Sequence, residues 1–300
     1  MTSLPIPAHG KSYDLNILYE SNNLKSTTRK VNMAVRLGFQ VVALNQIVSS
    51  ITKPAKGKQK KFVLPALPPK INLTEESKAY LEANHKEFNQ CCRITIELSD
   101  LDDLHKVRDA LSNGAFDVIA VIPRTERLFH TACTELHIDI ICIDGSEKLA
   151  YIPRHAAVQA AISRGLYFEV CYSPMIRDST TRRLTITNTQ RLVESSKGKN
   201  LILSSGALHP MELRGPNDVA NLNTLFGITE NLHPHSVGSN CRSAIVHGFT
   251  RKTAKCAVYV QKLEGEKENE PQSELILSES CTKSTDSVIS ESPPLKKAKK

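Results

Sequence analysis

The chain of 300 residues contains no tryptophan, and aromatic residues make up only 5% of it. Proteins that bind single-stranded nucleic acids stack successive bases on aromatic side chains, so base stacking is not the expected mode of any nucleic-acid contact. No stretch approaches the roughly 20 apolar residues of a membrane helix. The first seven residues also lack the basic and apolar regions of a secretion signal. We therefore expect an intracellular protein.

The usual catalytic signatures are missing as well. The chain has no glycine-rich phosphate loop, no G-x-S-x-G elbow and no H-E-x-x-H pair. It has eight cysteines, but no two are spaced C-x-x-C, which excludes a zinc ribbon or a thioredoxin-like motif. Several of them, such as Cys142 and Cys171, lie in apolar runs and are predicted to be buried, reduced thiols.

Basic residues outnumber acidic ones in this chain. The formal net charge is +8, and residues 1–260 carry 32 Lys and Arg against 23 Asp and Glu, whereas residues 261–300 carry 7 against 8. The basic excess therefore belongs to the part expected to fold. Cationic side chains release condensed counterions when they neutralise phosphates, so this balance favours a polyanionic partner.

Seven short β-branched runs predict strands, at residues 13–18, 40–44, 93–98, 116–122, 138–143, 167–172 and 200–204. Helical periodicity predicts helices between or after them, at residues 31–38, 102–111, 126–136, 185–195, 218–226 and 241–247. Thr125 is the predicted N-cap of the third of these helices. Nearly continuous apolar strands that alternate with helices indicate an α/β fold with parallel pairing. We predict an irregular TIM-type barrel of about seven parallel strands, with an open doubly wound sheet as the alternative.

Two stretches interrupt this pattern. Residues 49–90 are predicted to form a long surface insertion in a barrel domain of residues 1–260. Residues 261–300 are rich in Glu, Ser and Lys and poor in aromatics, which predicts a disordered tail. The tail carries four lysines typical of a nuclear localisation signal, Lys296, Lys297, Lys299 and Lys300.

Two histidine clusters are weak candidates for a metal site. His130, Cys133 and His137 have helical spacing, but Cys133 belongs to an apolar face. His233 and His235 flank a proline, with Cys241 nearby. A packed helix and an ordinary loop are the better interpretations, so we predict no metal, no cofactor and no catalytic residue.

Basic residues give a stronger signal. Function in a parallel barrel lies at the C-terminal ends of the strands, and the cluster after the sixth strand falls there. Arginine forks suit phosphate oxygens, so contact with the backbone of a structured RNA is expected. The predicted RNA-binding residues are Arg124, Arg177, Arg182, Arg183, Lys197, Lys199, Arg214, Arg242, Arg251 and Lys252.

An ordered set of segments carries a family resemblance. The segments are residues 13–16, 37–45, 116–121, 123–126, 164–165, 168–169, 172–174, 176–180, 197–200, 202–205, 213–216, 218–222 and 240–242. Over residues 12–255 the sequence resembles the TIM-barrel protein subunit of eukaryotic ribonuclease P and ribonuclease MRP, which is shared with archaeal ribonuclease P. This family is similar to the PHP (polymerase and histidinol phosphatase) barrels, which bind metal through a His-x-His motif after the first strand. Here that place holds Asp14 and Asn16, so the metal pair is absent.

The resemblance implies a nuclear and nucleolar protein that is not itself a catalyst. It would bind ribonuclease P RNA and MRP RNA and associate with other protein subunits of the particle. Precursor tRNA would be contacted indirectly, during removal of the tRNA 5′ leader, and ribosomal RNA would be processed through the MRP particle. Two alternatives remain open: a metal-dependent phosphoesterase on the same PHP-type barrel, and a protein scaffold whose basic face is incidental.

Overall fold

A computed structural model describes residues 10–49 and 64–253 of the chain. Its seven strands are β1 (Tyr13–Leu18), β2 (Val41–Val48), β3 (Asn89–Leu98), β4 (Val118–Pro123), β5 (Ile140–Ile143), β6 (Tyr167–Cys171) and β7 (Leu201–Ser204). All are parallel to their neighbours and follow chain order in one sheet. The sheet is nearly closed, because Ile17 of β1 forms a parallel bridge with Ala207 just after β7. The predicted barrel is confirmed, and the open sheet is not.

Helices connect the strands, as a parallel sheet requires. They are α1 (Leu24–Leu37), α2 (Glu75–Ala83), α3 (Leu104–Asn113), α4 (Glu126–Thr134), α5 (His155–Ser163), α6 (Ser173–Arg177), α7 (Ser179–Ser196), α8 (Pro216–Asn221) and α9 (Ser239–Thr253). Thr125 caps α4 as predicted, with its hydroxyl accepting from the Leu128 amide at 3.4 Å. Within the residues that the structure describes, we find no helix with the length and apolar character needed to span a bilayer.

The core consists of two shells on either side of the barrel wall. Outward-facing strand residues pack under the helices; examples are Val42, Ile94 and Phe168, all fully buried. Inward-facing residues form a second, smaller cluster inside the barrel, with Ala43 and Ala120 among them. The alternation of the two faces along each strand explains why the strand sequences are nearly continuously apolar.

Helix α9 closes the N-terminal end of the barrel. Its residues Cys241, Ala244 and Ile245 belong to the interior cluster. Gly248 lies so close to the barrel that a Cβ atom there would be 2.2 Å from the carbonyl oxygen of Asp117. The helix was predicted at residues 241–247, and it continues to Thr253 because its last turn is anchored to the start of β4 and β5.

The insertion predicted at residues 49–90 falls in the connection between β2, which ends at Val48, and β3. Residues 64–74 lead into α2, which packs against α1 and buries Leu81, and β3 already begins at Asn89. Helix α2 escaped prediction because only Ser77 and Leu81 of its nine residues are buried, which leaves little apolar periodicity. The predicted disordered tail and its four lysines lie outside the described residues.

Candidate nucleic-acid interface

The ten predicted RNA-binding residues divide between the two ends of the barrel. Five follow strands β4, β6 and β7 at the C-terminal end, namely Arg124, Arg177, Arg182, Arg183 and Arg214. The other five, Lys197, Lys199, Arg242, Arg251 and Lys252, precede β7 or lie on α9 at the N-terminal end. The structure therefore does not gather them into one site. They differ further in whether the cation is already bound to a carboxylate.

Arg124 is bound by carboxylates across the mouth of the barrel. Its Nε donates to Glu97 at 2.6 Å, and its Nη1 donates to Asp144 at 3.0 Å and to Glu147 at 3.5 Å. Burial alone would lower the pKa of Arg124, but the neighbouring carboxylates raise it, so the guanidinium is held charged. A phosphate approaching this arginine would also meet the negative charges that surround it.

Arg177 is engaged in the same way. Its Nε and Nη2 form a fork on Glu212, at 2.8 and 2.9 Å, and Nη2 also donates to the Gly206 carbonyl at 3.3 Å. Arg214 is exposed and uses Nη1 on the backbone carbonyls of Met211 and Leu213, both at 2.8 Å. Bidentate arginine–carboxylate pairs fix geometry strongly, so Arg177 holds the loop after β7 in place.

Two of the cations at the N-terminal end of the barrel are also bound to carboxylates. Arg251 donates to Asp139 from Nε at 3.2 Å and from Nη2 at 2.9 Å, and Lys252 donates to Asp117 at 2.7 Å. His247 adds a third contact to Asp139, at 2.7 Å. Arg251 and Lys252 thus attach the end of α9 to the strand starts. Arg242 also lies on α9, at the margin of a concavity beside Lys11 and Tyr13.

The remaining cations lie on α7 and in the turn between α7 and β7. Arg183, Lys197 and Lys199 are exposed, and their side chains have no hydrogen bond or ion pair to any residue that the structure describes. Arg191, which is not among the ten predicted residues, is exposed in the same way. It was within reach of prediction, because it follows Arg183 by eight residues, which places it about 80° around the helix and on the same broad exposed face.

We call Arg182, Arg183, Arg191, Lys197 and Lys199 the basic strip. Arg182 belongs to it because its side chain is exposed and makes a single hydrogen bond, from Nε to the Met175 carbonyl at 2.7 Å. From Arg183 to Lys197 the strip extends about 21 Å along the helix. Glu194 is the one exposed carboxylate within α7, so the strip keeps an excess of positive charge.

The inside of the barrel holds a buried ion pair. The Arg93 guanidinium on β3 donates to both oxygens of Glu169 on β6, with Nη1 at 2.5 Å from Oε1, and both side chains are fully buried. The other acceptors of Arg93 are the Leu15 carbonyl at 2.7 Å, the Thr95 hydroxyl at 3.1 Å and the Cys142 sulfur at 3.0 Å. Burial would raise the pKa of Glu169, but Arg93 and the neighbouring donors outweigh it and lower that pKa. Both groups are therefore charged at neutral pH.

Asp14 and Asn16, which stand where the His-x-His motif would be, lie next to this pair and are hydrogen-bonded to other residues of the barrel. Asn16 donates from Nδ2 to Glu169 at 3.3 Å and accepts from Asn45 at 2.7 Å. Asp14 accepts through Oδ1 from the Asn16 and Ser205 amides, both at 3.1 Å, while its buried Oδ2 has no hydrogen-bond partner among the described residues. Burial raises the pKa of Asp14 and outweighs these hydrogen bonds.

The two histidine clusters do not converge on a common point. Cys133 is buried in the outer core, whereas His130 and His137 are exposed. His233 is hydrogen-bonded to the Ile228 carbonyl at 3.0 Å, His235 to the Ser239 hydroxyl at 2.7 Å, and Cys241 donates to the Ser236 carbonyl at 3.3 Å. Over residues 10–49 and 64–253 we find no group of three or more His, Cys, Asp or Glu side chains placed to hold a metal ion.

Comparison with known proteins gives a consistent result. The chain is 41% identical over 238 residues to "Ribonuclease P protein subunit p30" of Mus musculus, covering 79% of this chain and 86% of the mouse protein. It is 26% identical over 137 residues to "Ribonuclease P/MRP protein subunit RPP1" of Saccharomyces cerevisiae, covering 46% of this chain and 47% of the yeast protein.

The fold has a counterpart among solved structures. A chain in a cryo-EM structure of archaeal ribonuclease P with mature tRNA superposes with a TM-score of 0.55 at 16% identity, covering 85% of this chain and 100% of that one. The family model of RNase P subunit p30 matches residues 11–253, close to the residues 12–255 that carry the sequence resemblance. With a relative 41% identical over most of its length, the chain belongs to the RNase P subunit p30 family.

Proposed function

We propose that this chain is a protein subunit of ribonuclease P and of ribonuclease MRP, where it binds and stabilises the catalytic RNA. The match of the family model to nearly all of the described residues carries this proposal. In this role the chain is not itself a catalyst. The RNA performs the cleavage that removes the 5′ leader of precursor tRNA, and the MRP particle acts on ribosomal RNA.

A metal-dependent phosphoesterase is not favoured by the interior of the barrel. The guanidinium of Arg93 already supplies a fixed positive charge there, and it takes up both oxygens of Glu169. A divalent cation at the same place would meet like charge and would have to compete for that carboxylate.

The RNA contacts that we propose centre on the basic strip. Its cations have no carboxylate partner in the described structure, whereas Arg124, Arg177, Arg251 and Lys252 are each bound to one or more carboxylates. Free cations on a helix face can neutralise phosphates without first breaking an internal ion pair. We assign the four paired residues to positioning of loops and of α9, and keep Arg214 and Arg242 as contacts at the margins.

The identity of the RNA is the first test. The tagged chain is recovered from cells, its associated RNA is sequenced, and the eluate is assayed for cleavage of precursor tRNA. We expect enrichment of ribonuclease P RNA and MRP RNA together with cleavage activity. A folded, nuclear chain that recovers neither RNA would overturn the proposal.

The basic strip is tested with charge-reversal variants. Replacing Arg183, Arg191 and Lys197 by Glu should reduce RNA affinity strongly, because three phosphate contacts become repulsive. A matched control replaces Arg29, Arg108 and Arg127 by Glu; these are exposed cations on other helices, and the net charge changes equally. Equal losses in both triple variants would mean that only overall charge matters and that the strip is not a site.

We also propose a nuclear location, with the nucleolus as the site of MRP function. Lys296, Lys297, Lys299 and Lys300 would provide the import signal. Alanine at all four positions should move a fluorescently tagged chain from the nucleus to the cytoplasm. Unchanged nuclear fluorescence would refute the role of these lysines.

A further inference from the structure

Helix α7 carries hydrogen-bond acceptors among the cations of the basic strip. Gln190 and Glu194 are exposed and one helical turn apart, and along the chain they lie between Arg183 and Lys197. At about 100° per residue, both lie within about 20° of Arg183 around the helix axis, so the three side chains share one side of α7. The strip is therefore not a uniform row of positive charge, because acceptors stand among its cations.

The amide of Gln190 is oriented by the chain next to it. Its Nε2 donates to the Leu225 carbonyl at 3.1 Å. A carbonyl oxygen can only accept, so the amide nitrogen has to face it, and Oε1 remains as an acceptor that no described residue satisfies. The carboxylate of Glu194 likewise has no hydrogen bond or ion pair within the described part of the chain. Both groups are available to a donor from a partner.

The chemistry of these acceptors identifies the part of an RNA that they contact. A phosphate presents only oxygen acceptors, so neither Oε1 of Gln190 nor the Glu194 carboxylate can bind it. A ribose 2′-hydroxyl can donate, and so can the exocyclic amine of guanine. In an A-form RNA duplex these groups line the wide, shallow minor groove, and the phosphates that suit the cations of the strip border it.

We propose that the basic strip binds across the minor groove of an RNA duplex. Gln190 and Glu194 accept from 2′-hydroxyl groups in the groove. The cations that flank them, Arg183, Arg191 and Lys197, contact phosphates at its edges. This proposal rests on the proposed function, and it adds the form of RNA that the strip recognises.

Single strands and DNA duplexes match this surface less well. Helix α7 contains no aromatic residue, so it offers unpaired bases nothing to stack on. The minor groove of B-DNA is only about 6 Å wide, whereas a helix with its side chains is about 10–12 Å across. DNA also lacks the 2′-hydroxyl, so Gln190 and Glu194 would find no donor on its backbone.

Chemically altered duplexes test the proposal. The full chain is titrated by filter binding with an RNA duplex, with the same duplex carrying 2′-O-methyl groups, and with one of its single strands. Methylation keeps the phosphates and the A-form geometry but removes the hydroxyl donor. We expect the RNA duplex to bind about ten-fold more tightly than the methylated duplex, because two hydrogen bonds are lost, and more tightly than the single strand. Equal affinity for the two duplexes, or tighter binding of the single strand, would overturn the proposal.

Substitutions separate the acceptors from the cations. Gln190→Met with Glu194→Met removes both acceptors at exposed positions, so the preference for the unmethylated duplex should disappear. The matched control is Gln159→Met with Glu135→Met, which should keep the ten-fold preference. It removes an amide that donates to the Ser195 carbonyl at 3.3 Å and an exposed carboxylate, both on side chains outside α7. An unchanged preference in the first double variant would refute the role of the acceptors.

Failure of this contact and failure of the proposed function give different results. Recovery of ribonuclease P RNA with the tagged chain, together with no preference for 2′-hydroxyl groups, would refute the minor-groove contact alone. Absence of that RNA from the recovered chain would refute the proposed function and, with it, this proposal.

Discussion

Arg93 places a permanent positive charge inside a barrel whose other interior residues are mostly apolar. Burying an isolated ion is very costly, so the charge is tolerated only because Glu169 and three further acceptors surround it. Cys142 and Cys171 lie in the same layer, and burial raises the pKa of both thiols, which keeps them neutral beside Glu169. The layer therefore contains one cation and one anion in balance.

We predict that Arg93→Met lowers the free energy of unfolding by about 3–5 kcal/mol, because it leaves the Glu169 carboxylate buried without its counter-charge. The double variant Arg93→Met with Glu169→Leu should be less destabilised than the single one, since no unpaired charge remains. Urea denaturation of the three proteins measures both effects. Additive losses in the double variant would show that the two side chains do not act as a pair.

The buried carboxyl of Asp14 leads to a second prediction, which concerns how stability depends on pH. Because burial raises the folded-state pKa of Asp14 above its ordinary value of 3.8, the folded protein binds this proton more tightly than the unfolded chain does. Stability therefore falls as pH rises through the folded-state pKa. Asp14→Asn removes the charge, so its stability gain over wild type should grow between acidic and neutral pH. A gain that is the same at all pH values in urea titrations would contradict this account.

At the scale of the element, α9 is bound to the barrel through a glycine. Alanine is intrinsically better than glycine in a helix by about 1 kcal/mol. At position 248, however, the added Cβ would lie 2.2 Å from the Asp117 carbonyl oxygen and 3.2 Å from Oδ2 of Asp139. The helix would have to move away from the strand starts that Arg251 and Lys252 hold.

We therefore predict that Gly248→Ala destabilises the protein in spite of its better helix propensity. Thr250→Ala, at an exposed position two residues further along α9, should be neutral or slightly stabilising. Thermal unfolding of the two variants separates the effects. A higher midpoint for Gly248→Ala than for wild type would mean that α9 does not pack as the structure describes.

The strands and several helices were predictable because their signal is local. All seven predicted strands occur, since β-branched apolar runs suit a wall buried on both faces. Helix α5 was missed because four of its nine residues are alanine, which weakens the contrast between its faces, and the five-residue α6 is too short for periodicity. Helix α7 begins six residues before the predicted start because Asp178 caps it, accepting from the Thr180 and Thr181 amides.

The charge partners could not be predicted in the same way. Arg124 pairs with Glu97, which lies 27 positions earlier in the chain, and Arg177 pairs with Glu212, which lies 35 positions later. Such pairs depend on the barrel bringing distant strand ends together, and no spacing in the sequence shows this. From the sequence alone, a free arginine and a paired one look alike, so the ten basic residues could not be ranked.

On the scale of the whole molecule, the basic strip gathers exposed cations that have no carboxylate partner among the described residues. We predict that RNA affinity falls linearly with salt on logarithmic axes, and that each strip residue replaced by a neutral one reduces the slope by about 1. Filter binding at several salt concentrations measures this for Arg183→Gln and Lys197→Gln. The same substitution at the exposed Arg29 and Arg108 should keep the wild-type slope; a reduced slope in those variants would mean that the strip is not the main RNA contact.

The position of α9 along the chain has a consequence for synthesis. The interior cluster needs Cys241, Ala244 and Ile245, which leave the ribosome after every strand of the wall. Until then, the inner faces of the strands have no cover at the N-terminal end, and nascent chains with exposed apolar surface are prone to aggregate. The barrel is therefore completed only when translation has passed its last described helix.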